Sequence, residues 1–563
     1  MIPDAKPTGG GARRGVTLAL LAAAAALGIN VFAHLGHPLL WNDEAETAVF
    51  GQRVLIYGYP KIHHRGNALY PINLPPDTAR KEASDAYIGI PWAHFYVAAL
   101  GELFARRAAD VHDRTARLRL PFAAAGVAGL LLFAAALAPA AAAGGAGRTA
   151  FVAAYLSFAA LSTSLVLHLR EVRYYPLVVL ELGLLILLHL RRSAYHRRHR
   201  RVQAVGIAAL LVALFLTFYP ACAAAAAALA ADGVRRAWRA RRSWRAALSA
   251  AAGEAAPVVL AAAGIAPLLV FFETLHVAST FSARLHFSSA TWVDNGLALS
   301  WHLLRYDALA PAVVSCLAWR FATREAGRDA LDAAARDAAI FLWTLVAAHA
   351  AVACANPVLF SRYFVAITPL LVGVGCLAAA RAIGAQPARR PSAAATSAVL
   401  AAALLFVAGQ WEFLSGRLAE IRVPVRGPLD FAIPFLRDAY ARPEDIVIAT
   451  NYEAPAFEYY LGSTVAAVPR PGDERPLPVA DPDVVVPRRW WGNAGRLDAY
   501  LGGKSWLTQR FPVADVPYNN IPELTNVSRR LTVFHQFRTP EAHDPESEFL
   551  LYWRPRSDGR ATR

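Results

Sequence analysis

Eleven apolar runs parted by short arginine-rich breaks set what this chain can fold into: 16–36, 120–142, 149–168, 174–190, 203–218, 221–232, 257–273, 305–321, 337–355, 364–381 and 394–411. About 20 apolar residues match the hydrocarbon core of a bilayer, where backbone groups must pair within their own segment, so such runs become spanning helices. Composition points the same way. Of 563 residues 56% are hydrophobic and 17% charged, against roughly a quarter charged in soluble domains. The net charge of +16 lies in arginines between the apolar runs, where basic residues orient helices, so nucleic acid is not implied as a partner. The four cysteines stand in or beside apolar runs without metal spacing and read as small buried hydrophobes.

Charge also threads the chain. Arg13 and Arg14 precede the first run, which has no small-residue cleavage site and reads as a retained span with a cytoplasmic N-terminus. The breaks 191–201 and 235–245 are the strongest cytoplasmic markers. Residue 191 must then follow an even number of crossings, which removes a twelfth apolar stretch, 88–105. Its Pro91, Trp92, His94 and Glu102 suit an interfacial segment. This choice leaves Arg106, Arg107, Arg117 and Arg119 outside. The two markers also require 203–232 to cross twice, turning near Phe218-Tyr219-Pro220. Loops 37–119, 168–173 and 274–304 and the turn 356–363 then share the external face of a plasma (inner) membrane. Residues 1–411 form the membrane domain. After Trp411 the chain turns polar, with a strand-like Asp445–Thr450 and a helix-like Ala454–Leu461, so 412–563 reads as a small external α/β domain with a flexible tail from Arg554. Asn526-Val527-Ser528 matches a glycosylation sequon.

Three polar clusters carry chemistry. Trp41-Asn42-Asp43-Glu44-Ala45-Glu46 follows the first span. Acids outside can simply complement basic residues inside, but a carboxylate at the membrane boundary can also act on a donor whose head group lies there. Burial would tend to raise its pKa toward a working base, while Glu46 reads as a solvated neighbour. In His168-Leu169-Arg170-Glu171-Val172-Arg173-Tyr174-Tyr175, charges beside apolar helices cost roughly 2–3 kcal/mol each at the bilayer centre, so they face water or one another. Ser361-Arg362-Tyr363 lies between two late spans, where the bland alternative is interfacial snorkelling. Lys61, His63 and His64 offer phosphate contacts or metal ligands. A divalent cation stays open as a cofactor, but adjacent loop histidines without a flanking carboxylate pattern argue for no metal there. His276, His286 and His302 join a site only through folding. No Walker loop, Rossmann glycine fingerprint or nucleophile elbow is present.

Asp43-Glu44 followed by Ala48, Gly51, Leu55, Gly58 and Pro60, and then Tyr87–Tyr96 (YIGIPWAHFY), resembles the first external loop of the GT-C glycosyltransferases. Within them it is most similar to the protein O-mannosyltransferases and the bacterial lipopolysaccharide and lipid A sugar transferases. The resemblance implies an α-helical polytopic membrane protein of GT-C type, with a juxtamembrane helix at 88–105. It implies a polyprenyl-phosphate sugar donor, a glycan, lipid or protein acceptor, and inversion. Asp43 matches the family's catalytic base, and Glu171 its second acid. Glu44 and Glu171 would orient base or acceptor, Arg173, Arg362 and Lys61 would bind the donor phosphate, and His63, His64, Tyr174 and Tyr363 would contact donor or acceptor. A flippase for polyprenyl-linked saccharides would instead put charges inside the spans and repeat its halves, and no halves repeat here. A lipid-diphosphate polymerase or ligase would keep its working residues in a large late loop.

Overall fold

The computed structural model describes residues 10–70, 76–191, 197–241, 243–284, 288–322, 330–356, 359–384, 393–468, 477–478, 480–490, 493–516 and 538–556. His286, the sequon at Asn526 and the tail beyond residue 556 lie outside them. Helix α1 (Gly10–Phe32) leads through a turn into α2 (Asn42–Tyr57). Asp43 and Glu44 in the first turn of α2 suit the positive end of the helix dipole. Gly58 closes the helix at φ 82°, a conformation glycine adopts without cost. Two antiparallel ribbons follow, β1 (His63–His64) with β2 (Asn67–Ala68) and β3 (Arg80–Lys81) with β4 (Ala86–Tyr87).

The rest of the helical part is α3 (Ala93–Ala105), α4 (Val111–Ala141), α5 (Gly145–Leu161), α6 (Thr163–Leu169), α7 (Tyr175–Leu190), α8 (Arg197–Thr217), α9 (Tyr219–Arg239), α10 (Trp244–Phe271), α11 (Thr274–Arg284), α12 (Ser289–Tyr306), α13 (Leu309–Ala322), α14 (Ala330–Cys354), α15 (Ile367–Gly384) and α16 (Ala393–Arg422). Among the described residues five helices, α1, α4, α10, α14 and α16, are long and apolar enough to cross a membrane, and α5 with α6 makes a sixth as a bent pair. The remaining expected crossings fall on the shorter apolar helices α7, α8, α13 and α15 and on α9. With 13 residues, α3 reaches about 20 Å, short of a bilayer core of about 30 Å. It packs on α2, leaving Tyr96, Leu100, Leu103 and Phe104 exposed.

Several expectations change. The run 149–168 is not one straight helix: it bends by 82° at Ser162, whose ψ of 92° leaves the helical region. The polar stretch 274–304 is largely helical, with Ser288 capping α12 by accepting from the Thr291 N–H at 3.2 Å. Helix α16 continues past the composition break at Trp411 to Arg422. At Phe218 the backbone is extended, and α8 and α9 fold back on each other, with the Cys222 thiol donating to the Leu211 carbonyl at 3.2 Å. All four cysteines are free. Helices α4 and α7 meet where a Cβ on Gly129 would lie 2.6 Å from the Leu180 nitrogen, the close backbone approach that small residues allow in membranes.

The C-terminal unit adds α17 (Leu429–Ala439), β5 (Val447–Thr450), α18 (Ala454–Leu461), β6 (Thr464–Ala467), β7 (Val484–Val486), β8 (Leu507–Ala514) and β9 (Glu548–Trp553). The sheet order is β6-β5-β7-β9-β8, parallel at β6-β5-β7 and antiparallel beyond. All three valines of β7 are fully buried, as a central parallel strand requires. This unit does not stand apart. One apolar core joins Leu40, Val49 and Phe50 near α2 and Phe95 of α3 to Ile433, Phe457, Val484 and Phe549.

Candidate active site at the exit of the first helix

A helix leaves its last four carbonyls without intrahelical partners. At the end of α1 and in the turn beyond it, carbonyls meet three buried arginines from distant segments. Arg417 donates to the carbonyls of Asn30 and Ala33. Arg170 donates to Ala33 and His34 at 2.8 and 2.9 Å, and Arg119 to Leu35 and Pro38 at 2.9 and 2.8 Å. Two buried acids balance them. Glu420 pairs with Arg170 at 3.2 Å and with Arg417 at 2.6 Å. Glu44 takes Arg119 as a bidentate fork at 2.9 and 2.6 Å and accepts the Val172 N–H at 2.8 Å. Arg119, which the charge threading leaves outside without a role, is therefore the partner of Glu44. Fully buried and bound on both oxygens, Glu44 braces α2 against α4 and the 168–174 segment.

Asp43 precedes it by one residue, about 100° around the helix, and faces elsewhere. Its side chain keeps 16% exposure and lies between two guanidiniums. Its Oδ2 is 3.7 Å from Arg173 Nη2 and 3.4 Å from Arg362 Nη2. Arg173 also donates from Nη1 to the Asp43 carbonyl and to Thr47 Oγ1, both at 3.1 Å. Arg362, on a turn at Ser361–Phe364, lies over the Phe360 ring at 4.1 Å and the Trp41 ring at 5.2 Å. Burial alone would lower both guanidinium pKa values, but Asp43 and the surrounding tyrosines hold both above the ordinary arginine range. Among the described residues, Nε of Arg173 and both Nε and Nη1 of Arg362 have no hydrogen-bond partner. These donors are available to an anion.

Aromatic rings wall the site. Tyr174 stacks on Phe218 at 4.6 Å, and Phe218 lies 6.2 Å from Tyr363. The turn between α8 and α9 thus reaches the same place, a role its sequence did not signal. Tyr452, at the end of β5, is another residue the sequence left unmarked. Its phenol is pushed up by burial and then by the charge of Asp43, so the C-terminal unit borders the site. His94 is fully buried against Phe95 and Tyr174, with neither ring nitrogen partnered among the described residues, and burial, then Arg173, holds it well below the ordinary histidine range.

Other sequence candidates lie apart. Glu171 is buried with its Oε2 3.3 Å from His168 Nδ1. Lys61 lies over the Tyr57 ring at 4.6 Å, and His64 Nδ1 is 2.9 Å from the Tyr57 hydroxyl. Tyr57 ends the 16-residue helix whose first turn holds Asp43, roughly 20 Å away at 1.5 Å per residue. His63 is held in a local set with Asp85 and Tyr70, each at 2.8 Å. Glu46 is half-buried and hydrogen-bonds Tyr87 rather than water alone. An apolar cavity of about 650 Å³ opens among α4, α5, α13, α15 and α16, bordered by Ala141 at the far end of α4 from Arg119. Among the described residues the group able to hold a metal is His37, His112 and Asp430, and it includes none of the expected histidines.

Solved structures share this architecture over nearly the whole chain. ArnT from Cupriavidus metallidurans in the apo state matches with a TM-score of 0.50 and 14% identity, over 96% of this chain and 98% of that one. The same protein bound to undecaprenyl phosphate matches at 0.46 and 14%, over 98% and 99%. The archaeal oligosaccharyltransferase AglB from Archaeoglobus fulgidus, in complex with an inhibitory peptide and a dolichol-phosphate, matches at 0.45 and 12%, over 81% of this chain and 64% of that one. No family model and no curated protein sequence matches. The fold is therefore similar to that of ArnT, a helical membrane part with a small C-terminal α/β unit.

Proposed function

We propose that this protein is a glycosyltransferase that moves a sugar from a polyprenyl-phosphate carrier to an acceptor hydroxyl. The observation that carries the reading is Asp43, a partly exposed carboxylate held between Arg173 and Arg362 at the exit of the first helix. A carboxylate beside two cationic forks suits a reaction that removes a proton from one partner and releases a phosphate from the other. Asp43 takes the proton of the acceptor hydroxyl as its oxygen bonds to the anomeric carbon. The bond from that carbon to the phosphate oxygen breaks with its electron pair, and polyprenyl phosphate leaves on Arg173 and Arg362. A single displacement needs one base and inverts the anomeric centre. Tyr174 and Tyr363 line the donor side, Tyr452 the acceptor side, and Glu44 and Glu171 position the segments that carry the base and Arg173. Lys61, His63 and His64, gathered near Tyr57, are left out of this site.

The fold supports the donor class, since ArnT has been solved bound to undecaprenyl phosphate. The charge threading puts the site and the C-terminal unit on the external face of a plasma membrane. A flippase is disfavoured because the reactive groups converge at one helix exit instead of lining a path. The test incubates membranes bearing the protein with a panel of polyprenyl-phosphate sugars labelled in the sugar. Transfer of label from lipid to an acceptor is expected for one donor. Transport of intact labelled lipid without release would overturn the reading.

A further inference from the structure

Three segments far apart in sequence bring a histidine, a histidine and a carboxylate together beside, but outside, the Asp43 site. His37 lies in the turn after α1, His112 in the first turn of α4, and Asp430 in the first turn of α17. Asp110 caps α4 through the His112 and Asp113 N–H groups at 2.8 and 2.7 Å, which fixes the backbone under the His112 ring. Gly36 lets the turn lie directly on α4, since a Cβ there would be 2.3 Å from the His112 carbonyl oxygen. Asp430 is buried, accepting the Leu39 N–H at 3.2 and 3.3 Å and the Gly427 N–H at 2.8 Å. Asp430 Oδ1 lies 3.8 Å from His37 Nδ1 and 3.6 Å from His112 Nδ1.

These separations are too long for hydrogen bonds. The buried His37 Nδ1 has no other partner among the described residues. They are close to what a shared ion requires. Ligands about 2.0–2.1 Å from a tetrahedral centre lie roughly 3.3–3.4 Å from one another, so each histidine nitrogen stands within a few tenths of an ångström of that distance from Asp430, and all three ligand atoms lie within 4.8 Å of one another. The two imidazoles stack at 4.0 Å and would turn out of the stack to aim at one ion. Side-chain exposures of 21% and 22% leave both rings within reach of dissolved ions.

We propose that His37, His112 and Asp430 form a divalent-cation site of zinc type that clasps the C-terminal unit to the turn leading into α2. Two imidazoles with one carboxylate suit a borderline-soft ion and not magnesium or calcium, which take oxygen ligands. Three protein ligands leave the fourth position to water. The proposal is independent of glycosyl transfer.

The test uses the purified full-length protein, stripped with chelator and titrated with Co²⁺, whose visible absorption reports a tetrahedral nitrogen–oxygen site. A one-to-one spectrum, displaced by Zn²⁺ and not by Mg²⁺, is expected, together with a higher melting temperature in Zn²⁺. His37→Gln and His112→Gln should each weaken Co²⁺ binding by at least about tenfold, since even losing a group that only hydrogen-bonds a ligand costs about 10–100-fold. His34→Gln, on the neighbouring ring, should not. Absence of the one-to-one spectrum in the wild type overturns the site without reference to any variant's folding. A folded His37→Gln, His112→Gln double variant that binds Co²⁺ like the wild type overturns it as well.

Discussion

At Asp43 and Glu44, adjacent positions on one helix give two carboxylates different tasks. Asp43→Asn keeps size and shape but cannot take the proton, so transfer is expected to fall about 10²–10⁴-fold with the folded yield unchanged. Glu44→Gln should do the reverse to the protein itself. It leaves the buried Arg119 without its charge partner, and breaking such a pair costs about 3–5 kcal/mol, to be read as a lower melting temperature and poor folded yield in detergent. Arg173 and Arg362 are separable from anchoring arginines by replacement with lysine, which keeps charge but not the planar fork. Donor kcat/KM should fall with lysine and by at least about tenfold with alanine at either position, because a charge-assisted hydrogen bond contributes about 1.5–3 kcal/mol. Equal kinetics for wild type, lysine and alanine would exclude both from the phosphate. Asp43, Arg173 and Arg362 were legible because each marks a border between an apolar run and a polar segment. Tyr452 was not, since nothing local distinguishes it and only the packed C-terminal unit brings it near. Which of the two first-loop acids faces the arginines depends on helix phase, which adjacency in sequence does not reveal.

Between elements, a tight constraint near the site is the contact of α2 with α3. A Cβ on Gly51 would stand 2.8 Å from Ala98 Cβ and 2.9 Å from the Ala99 nitrogen. Gly51→Ala must therefore push the helices apart, and overpacking of this kind costs about 1–3 kcal/mol. The expected result is a lower melting temperature and reduced transfer, because α2 carries Asp43; Gly58→Ala, at a positive φ with open space, should shorten the helix end with less effect on transfer. Hydropathy located the long helices because twenty apolar residues in lipid have few alternatives. It did not find the bend at Ser162, where no proline marks the break and a window of average apolarity is blind to direction. The turn at Phe218 was legible through charge instead, since two basic breaks demanded two crossings between them. The helices of 274–304 were obscured by polar residues that composition assigns to a loop.

Across the whole molecule, the threading is tested by single cysteines at the exposed positions Glu82 and Arg107, in a background without the natural cysteines. An impermeant thiol reagent added from one side should label both, because α3 lies between them and is too short to span. Labelling from opposite sides would make α3 a crossing and reverse every later helix. The arginine collar at the end of α1 has a consequence for how the protein is made. Its members come from residues 119, 170 and 417, and Glu420 locks two of them. Helix α1 emerges from the ribosome before all of them, yet its final turn receives its last partner only when α16 is complete. Until then the Asn30 carbonyl lacks the arginine that it accepts from in the finished fold. A segment made early is thus finished late, and a nascent chain cut before Arg417 carries Asp43, Arg173 and Arg362 without the complete frame that aligns them.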